Sequence, residues 1–280
     1  MMRVCQTVAE LRQALAEIRG DLRVGFVPTM GALHRGHLSL VERCAVETDL
    51  SVVSIYVNPA QFGPQEDLGR YPRDLEGDLE LLARHRTDLV FFPDDAQMYP
   101  PGYRTWVEVE GLANVLCGAS RPGHFRGVAT VVLKLTQIVK PDLMFMGLKD
   151  FQQIVVLERM LQDLNSETRI ARCPIVREDD GLALSSRNVF LSPEERVRAR
   201  CLSQAWKQVR AMVARGIRDS RELLAEAERI VLEAGGKIDY IKIVDSDTLA
   251  DADPVDQNSR LLLAVKIGNT RLIDNSSLPA

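Results

Sequence analysis

The chain has 280 residues, a formal net charge of -4 at pH 7, 46% hydrophobic residues and 26% charged residues. These values are ordinary for a globular protein, and the length suits one large or two modest domains. The slight negative charge provides no overall basic surface, and no apolar run reaches the ~20 residues of a membrane helix, so we expect neither nucleic acid nor a membrane as partner.

The N-terminal segment and the cysteines favour a cytoplasmic protein. Residues 1–8 lack the apolar core of a secretory signal. The five cysteines are scattered and odd in number, and no Cys-x-x-Cys pair occurs, which disfavours a disulfide framework or a zinc site. We therefore expect buried, reduced thiols.

Short apolar, β-prone runs alternate with segments of helical periodicity up to about residue 175. The runs are continuously apolar, which favours a parallel sheet covered on both faces. This pattern predicts a doubly wound, Rossmann-like α/β domain over residues 1–175, with ligands beyond the carboxyl ends of its strands. The predicted strands are 23–27, 50–57, 88–92, 142–146 and 169–175, and the clearest helices are 127–139 and 150–164, the latter with Asp150 as N-cap.

The character of the sequence changes after residue 175, where we place a domain boundary. Ser192 followed by Pro193 predicts the start of a helix that runs to about Gly216. A small α+β lid domain is thus expected over residues 176–280, with fraying at 275–280. Its remaining predicted elements are a helix over 220–234 and strands over 240–244, 261–267 and 270–273.

Residues 28–37 (PTMGALHRGH) follow the first strong strand run and open a helical pattern. His34 and His37 therefore lie at a helix N-terminus, where unpaired amides and the positive end of the helix dipole favour an anion. We interpret this motif as a phosphate site for ATP. Two alternatives stay open: the histidines could bind a metal, although no cysteine or carboxylate spacing completes a ligand set, or they could only cap the helix.

Two further clusters offer groups for a phosphate. Lys149, at the end of a predicted strand, supplies a point charge, and Gly147 lets the backbone approach closely. At the domain boundary, residues 184–188 (LSSRN) supply two hydroxyls and a guanidinium, and closure of the smaller domain would bring them over a ligand. Each cluster alone is weak evidence, because such lysines are often solvated and Ser-Ser-Arg is usually a turn.

Residues 58–73 have no periodicity, and a loop of that length is usually functional or disordered. Gln61 in this loop and Gln153 supply neutral donors and acceptors for a substrate with hydroxyls and a carboxylate, although either could be a surface residue. The basic loop over residues 121–127 either binds a substrate anion or braces the pocket. His85 ends a polar helical stretch, and we expect it to be solvated.

Six separated blocks together carry a family resemblance. They are residues 28–37, 58–62, 71–73, 121–130, 149–153 and 184–188, the last followed by Leu191 and Ser192. On these blocks the chain resembles the pantoate–β-alanine ligase (pantothenate synthetase) family over essentially its whole length. The His-x-Gly-His element is shared with nucleotidylyltransferases and with one class of aminoacyl-tRNA synthetases, so the resemblance implies a nucleotidylyltransferase-like fold.

The resemblance implies an AMP-forming acid–amino-acid ligase. The carboxylate of (R)-pantoate attacks the α-phosphorus of ATP to give pantoyl adenylate and pyrophosphate, and the amine of β-alanine then displaces AMP to form pantothenate. Mg2+ is implied as the companion of ATP, held chiefly by phosphates and water. A homodimer is implied by the resemblance alone.

The resemblance also implies which residues bind each substrate. Gln61 and Gln153 hold pantoate, and Gln61 also contacts β-alanine. The implied ATP-binding residues are Pro28, Met30, Gly31, Ala32, Leu33, His34, Arg35, Gly36, His37, Gly147, Leu148, Lys149, Asp150, Val176, Leu184, Ser185, Ser186 and Arg187.

The catalytic candidates follow from the chemistry of the implied reaction. The attacking group belongs to a substrate, so the protein needs only to align the reactants and neutralise developing charge. The catalytic candidates are His34, His37, Lys149 and Arg187.

The chain departs from the family pattern at Leu148, Asp74 and Gly77. The family often has an acidic residue at the position of Gly77, so Glu76 and Asp78 are only weak candidates for a metal ligand on that helix.

Three other functions compete with the ligase. A nucleotidylyltransferase would use the same histidine element but keep AMP on its product, and the glutamines and the Ser-Ser-Arg cluster favour the ligase over it. A nucleotide sensor without catalysis would not need Lys149 and paired histidines. An aminoacyl-tRNA synthetase is disfavoured because the sequence has no basic helical region for tRNA.

Overall fold

The computed structural model describes residues 2–64 and 66–278. Within these residues six strands form one sheet, and all of its pairings are parallel. The strands are β1 (Arg3–Cys5), β2 (Val24–Thr29), β3 (Leu50–Ile55), β4 (Leu89–Phe91), β5 (Leu143–Gly147) and β6 (Arg169–Cys173).

The order of strands across the sheet is β1-β4-β3-β2-β5-β6. From β2 the chain moves to β3 on one side and later returns to β5 on the other side. The connections that leave β2 and β5 therefore run to opposite faces, and a crevice opens between them at the carboxyl ends of the strands. The histidine motif follows β2 and Lys149 follows β5, so the fold brings both to this crevice.

Helices cover both faces of the parallel sheet, as the continuously apolar strands predicted. Every residue of β3 is buried, and its side chains alternate between two cores. The helices of this unit are α1 (Val8–Ile18), α2 (Arg35–Glu47), α3 (Leu75–Ala83), the short α4 (Asp95–Met98) and α5 (Cys117–Ser120), α6 (His124–Val139) and α7 (Phe151–Asp163). Val52 packs with α1, α6 and α7, whereas Val53 packs with α2 and α3.

The chain beyond β6 forms an antiparallel three-stranded sheet with its own apolar core. Leu202 and Leu223 of the covering helices pack there with Ile241 and Leu263 of the strands. The predicted fold class, an α/β sheet with a smaller α+β unit, is confirmed, and the boundary at residue 175 stays a prediction. The elements of the smaller unit are α8 (Pro193–Ala199), α9 (Cys201–Ala214), α10 (Ser220–Glu233), β7 (Lys237–Asp245), β8 (Ser259–Ile267) and β9 (Thr270–Ser277).

The C-terminal strand is longer than the sequence pattern predicted. The expected fraying is wrong for residues 275–277, because β9 stays in antiparallel register with β8 as far as Ser277. Asn275, which pairs with Leu262, is buried. Residues 279–280 lie outside the described part of the chain.

Other differences are local. The helix predicted from Pro193 to about Gly216 is interrupted at Arg200, which separates α8 from α9. Strand β1 was not predicted, because a strand of 3 residues is too short to show a period. His85, expected to be solvated, is half-buried instead, with Nδ1 2.8 Å from the Leu81 carbonyl and Nε2 3.2 Å from a carboxylate oxygen of Glu42.

All cysteines are free and buried, which confirms the prediction for the thiols. Burial raises the pKa of Cys44 and of Cys201 to about 11, so both are protonated at neutral pH. Among the described helices none combines the length and the apolar character needed to cross a membrane.

Candidate active site

A buried carboxylate shapes the loop between β2 and α2. Asp78 of α3 accepts hydrogen bonds from the backbone N–H of Ala32, at 2.9 Å, and of Leu33, at 2.7 Å. Gly31 and Ala32 have φ of 78° and 51°, so the backbone is left-handed at both residues. The amides of Ala32 and Leu33 in this turn are bonded to Asp78 and not to a helix or strand. Burial raises the pKa of Asp78 even against these two bonds. Asp78 was a weak metal candidate, but both of its oxygens hold this loop.

His34 is the N-cap of α2. Its Nδ1 accepts a hydrogen bond from the backbone N–H of Gly36 at 3.1 Å, so the capping alternative holds for this ring. Capping does not exclude a phosphate role, because a neutral ring that accepts at Nδ1 carries its proton on Nε2. Burial, followed by the charge of Lys149, lowers the pKa of His34.

His37 stacks on His34, with 4.1 Å between the ring centroids. Burial, then His34 and then Lys149, lowers the pKa of His37 to about 3. Its Nδ1 is buried and has no hydrogen-bond partner among the residues that the structure describes. Both rings are therefore neutral at pH 7 in the free protein, and they offer N–H donors rather than full charges.

Lys149 lies in a single turn, Leu148–Asp150, between β5 and α7. Its Nζ is 3.1 Å from the carboxylate of Asp150. Asp150 occupies the N-cap position of α7, but its side chain does not cap the helix, which corrects the capping prediction. Burial is the largest influence on Asp150 and opposes its ionisation, but the charge and the hydrogen bond of Lys149, together with the charge of Arg187, lower the pKa of Asp150 overall.

Arg187, a predicted phosphate ligand, makes a bidentate ion pair with Asp67. The two N–O distances are 2.8 and 3.0 Å. Burial alone would raise the pKa of Asp67, but the hydrogen bonds and the charge of Arg187, together with smaller effects of the backbone and Arg121, lower the pKa overall. The hydroxyl of Ser186 lies 3.4 Å from that of Tyr71, so the loop over 58–73 contacts the boundary segment twice.

A second bidentate pair joins the same loop to the basic loop over residues 121–127. Glu66 accepts two hydrogen bonds of 2.6 Å from Arg121. Arg121 also lies 3.0 Å from Nε2 of His124, whose Nδ1 is 2.8 Å from the carbonyl oxygen of Gln61. A neutral ring with its proton on Nδ1 satisfies both contacts. Burial, then the charge of Arg121, lowers the pKa of His124 to about 4.

Two neighbours orient the side chain of Gln61. Its Nε2 donates to the sulfur of Met30 at 3.1 Å, and its Oε1 accepts from Asn58 at 3.1 Å. Gly127 of α6 lies directly against this turn, where a methyl group would collide with the carbonyl oxygen of Ala60. Asn58 was not predicted as a site residue, although its place in the block over residues 58–62 could have identified it.

A cavity of about 230 Å³ at the carboxyl ends of β2 and β5 brings most of the predicted residues together. Those that line it are Pro28, Met30, His34, Gly36, His37, Gln61, Gly147, Lys149, Asp150, Gln153, Val176, Leu184, Ser185, Ser186 and Arg187.

The other predicted ATP-binding residues lie outside the lining. Leu33 is buried in the core with α2, Arg35 is exposed, and Leu148 packs against the apolar core. Gly31 and Ala32 shape the loop as described above. Their contact with ATP stays a prediction, as do the roles of the lining residues.

An open cleft of about 1170 Å³ adjoins the smaller cavity. Gln61, Arg121, His124, Lys149 and Arg187 line both spaces, so they lie where the two meet. The far wall of the cleft includes Lys266 and Arg271 of the antiparallel sheet. In the described residues no cluster of three or more His, Cys, Asp or Glu could hold a metal ion.

A family model described as pantoate-beta-alanine ligase matches residues 3–277. The chain belongs to the pantoate–β-alanine ligase family. It is 56% identical over 255 residues to the pantothenate synthetase of Syntrophotalea carbinolica, covering 91% of this chain and 90% of that protein. It is 50% identical over 276 residues to that of Acetivibrio thermocellus, with 98% of both chains covered.

Solved structures of the family superpose on the whole chain. The pantothenate synthetase of Thermus thermophilus has a TM-score of 0.96 at 46% identity, with 100% of both chains covered. The pantoate-beta-alanine ligase of Francisella tularensis, complexed with beta-gamma ATP and beta-alanine, has a TM-score of 0.85 at 35% identity, covering 99% of this chain and 98% of that one. The family resemblance inferred from the six blocks is confirmed.

We predict that Asp78→Ala disrupts the histidine loop. The N–H groups of Ala32 and Leu33 lose their acceptor, so we expect the free energy of unfolding to fall by about 1–3 kcal/mol and ATP affinity to fall with it. Urea unfolding and calorimetric ATP titration measure the two effects. Asp74→Ala is the matched control, because it removes the N-cap of the same helix and leaves the loop intact. Equal ATP affinities in the two variants would contradict the role of Asp78.

We predict a specific pH dependence for His124. Its pKa is about 4 in the folded protein and ~6.5 in the unfolded chain. Between these values the unfolded chain binds more protons, so stability that is present above pH 6.5 is lost as the pH falls towards 4. From pH 7 to pH 5 this histidine contributes a loss of about 2 kcal/mol.

The matched variant is His124→Asn, which keeps a donor and an acceptor but does not titrate. We expect its loss of unfolding free energy between pH 7 and pH 5 to be smaller by about 2 kcal/mol. Urea unfolding at both pH values provides the comparison. An identical loss in the two proteins would show that His124 is not held neutral.

Proposed function

We propose that this chain condenses (R)-pantoate with β-alanine to form pantothenate, through a bound pantoyl adenylate, and releases pyrophosphate and AMP. The observation that carries the proposal is one cavity that joins two kinds of groups. Candidate hydrogen-bond donors to phosphate, such as His34, Lys149 and Ser185, line this cavity, and so do the amides of Gln61 and Gln153. Family membership favours a ligase that uses both kinds.

In the first step a carboxylate oxygen of pantoate attacks the α-phosphorus of ATP. The new O–P bond forms as the bond to the β-phosphate oxygen breaks, and pyrophosphate leaves with the electron pair. The chain provides alignment and donors for the growing charge: the N-terminal amides of α2, the Nε2–H of neutral His34, and Lys149. No enzyme nucleophile is required.

Arg187 needs an exchange of partners before it can contact ATP. In the free protein its guanidinium is held by Asp67. Phosphate oxygens have the same bidentate geometry as a carboxylate and carry more charge, so they compete with Asp67 for the guanidinium. The loop that carries Asp67 would then rearrange when ATP binds.

Pantoate would bind between the two glutamines. Gln153 lies in the first turn of α7, and Gln61 is oriented by Asn58. Amides can donate to the pantoate carboxylate and accept from its hydroxyls without adding a charge that would hold the carboxylate back. This arrangement leaves the nucleophilic oxygen free to approach phosphorus.

In the second step the amine of β-alanine attacks the acyl carbon of the adenylate. The C–N bond forms, the acyl C–O bond to AMP breaks, and the amine proton goes to a base. The ring of His37 is neutral and its Nδ1 has no hydrogen-bond partner among the described residues, whereas His34 already accepts at Nδ1 from Gly36, so His37 is the ring open to a proton. The open cleft that meets the cavity at Gln61 provides a path for β-alanine.

We also propose that Mg2+ accompanies ATP. Asp150 is the one carboxylate, among the described residues, that lines the smaller cavity, so a direct protein ligand would be Asp150. Phosphate oxygens and water would supply the remaining positions, as is usual for this ion. The metal would neutralise phosphate charge.

The nucleotidylyltransferase alternative is not favoured. Such an enzyme would retain AMP on its product and would need no path for an amine. The family model, the relatives and the adjoining cleft all favour the ligase.

We predict that pyrophosphate exchange into ATP depends on pantoate when β-alanine is omitted. The reason is that the first step is reversible only while pantoyl adenylate stays bound. Addition of β-alanine should then release AMP in equal amount to the pantothenate formed. Radiolabelled pyrophosphate and chromatography of AMP measure the two steps, and exchange that ignores pantoate would exclude the proposed order.

We predict that Lys149→Ala and His37→Ala each slow adenylate formation by about 10²–10³-fold, the usual effect of removing one transition-state donor. Single-turnover pantoate adenylation measures the rate, and thermal unfolding checks the fold. Lys237→Ala is the matched control, because Lys237 is exposed at the start of β7 and lines neither cavity. Near-normal adenylation by either test variant would remove that residue from the catalytic set.

We propose further that residues 176–280 close as a lid over the adenylate and that the enzyme is a cytoplasmic homodimer. The lid is supported by the cleft, whose walls come from loops and helices of residues 1–175 and from the antiparallel sheet, and closure would keep water from the reactive acyl group. The dimer is supported by the family resemblance.

We predict that small-angle X-ray scattering gives a mass near twice 31.3 kDa, and that the radius of gyration becomes smaller when ATP and pantoate are added. A monomer mass or an unchanged radius would contradict the dimer or the lid, respectively.

A further inference from the structure

The last strand of the chain contacts the Lys149 turn through Asn275. This side chain is 2% exposed, and its Nδ2 donates to the carbonyl oxygens of Leu148 at 2.8 Å and of Lys149 at 3.1 Å. Its Oδ1 accepts from Arg260 of β8 at 2.6 Å. Both donors and the acceptor are thus used, which fixes the orientation of the amide, since the reverse orientation would place its oxygen against two carbonyls.

The adjacent residue of β9 contacts a different part of the site. Asp274 makes a bidentate ion pair with Arg177, with N–O distances of 2.7 and 2.8 Å, and also accepts from Trp206. Arg177 pairs with Ala183 across a tight antiparallel bridge. This bridge directly precedes the segment 184–187, which supplies Arg187 and the two serines.

Adjacent residues of a strand point to opposite faces, so Asp274 and Asn275 reach in opposite directions from one rigid backbone. One direction leads to the boundary segment and the other to the Lys149 turn. The Lys149 turn follows β5 and the segment 184–187 follows β6, so neighbouring residues of β9 contact the first segment directly and the second through Arg177. Lys149 has no other side-chain partner than Asp150 among the described residues, so its placement depends on its backbone.

We propose that Asn275 is a positioning residue for adenylate formation, which acts by holding the backbone of Leu148 and Lys149 at a fixed distance from the Ser185–Arg187 segment. The inference rests on the proposed function, because it takes Lys149 to be a phosphate donor in the first step. Asn275 lines the open cleft rather than the smaller cavity, and it is not a predicted ligand of any substrate. Its effect on the rate is therefore indirect.

The test compares two variants of Asn275 with a matched control. Asn275→Ala removes both donors, and Asn275→Asp keeps the size of the side chain and the acceptor for Arg260 but turns a second oxygen towards the two carbonyls. Asn258→Ala is the control, since Asn258 also donates to two acceptors, on Asp245 and Asp247, and lies outside both cavities. Pantoate-dependent ATP–pyrophosphate exchange, ATP affinity and thermal unfolding are measured for each.

We expect both Asn275 variants to lose about 10- to 100-fold in the exchange kcat, the scale of a displacement of about 1 Å in a catalytic group, with a smaller change in ATP affinity. Asn258→Ala should keep the wild-type rate even where its melting temperature falls equally. An exchange rate for Asn275→Asp equal to that of the control would overturn the proposal.

A double-mutant cycle separates positioning of Lys149 from a general structural role. If Asn275 acts through the Lys149 turn, then Asn275→Ala should change the rate of Lys149→Ala by less than about twofold. Multiplied losses in the double variant would reject the proposal, and so would an unchanged rate in Lys149→Ala alone. Failure of the wild-type protein to show pantoate-dependent exchange would instead reject the proposed function.

Discussion

The reversal of strand order between β2 and β5 is the constraint on which the site depends. The connections after these two neighbouring strands run to opposite faces of the sheet, so a crevice opens at their carboxyl ends, and a candidate phosphate-binding turn follows each strand. The central strands of the sheet are buried on both faces, so the only predicted site residues that they contribute are Pro28 and Gly147, at the carboxyl ends of β2 and β5. What the sheet provides is a rigid edge. The chemistry resides in loops, and each loop is held by a partner from another part of the fold: Asp78 for the histidine loop, Gly127 and His124 for Gln61, and Asn275 for Lys149.

Charge in the free site is balanced within the protein. Each cation that lines the smaller cavity has a carboxylate beside it: Arg121 with Glu66, Lys149 with Asp150, and Arg187 with Asp67. The histidines are kept neutral by burial and by their cationic neighbours. An uncompensated group of cations would be costly at such close range. The free energy of binding a polyanion is therefore the free energy of the new phosphate contacts minus that of the carboxylate contacts that they replace. The loop that carries Glu66 and Asp67 takes part in this exchange.

The sequence was sufficient for those parts of the molecule that depend on neighbouring residues. The continuous apolar run over 50–57 predicts a doubly covered parallel strand, and the position of Lys149 after such a run places it at the edge of the sheet. Residues fixed by distant partners could not be predicted in this way. Nothing near Asp78 indicates that it accepts from amides 45 and 46 positions away. Asp150 is at the N-cap position of α7, but its side chain pairs with Lys149 instead of capping the helix. The polar end of β9 is typical of a frayed terminus, although pairing with β8 and burial keep it ordered.

The contact between Asn275 and the Lys149 turn joins residues 126 and 127 positions apart in the chain. Contacts of such separation have a large loop-closure entropy, so we expect them to form late in folding. The Rossmann-like unit can therefore assemble its sheet and the histidine loop from its own residues, but the backbone around Lys149 is held from outside. Arg187 is supplied by the boundary segment, which is itself fixed through Arg177 to Asp274. The antiparallel sheet is thus a structural part of the candidate adenylation site, because its last strand contacts the Lys149 turn directly and, through Arg177, the segment that carries Arg187.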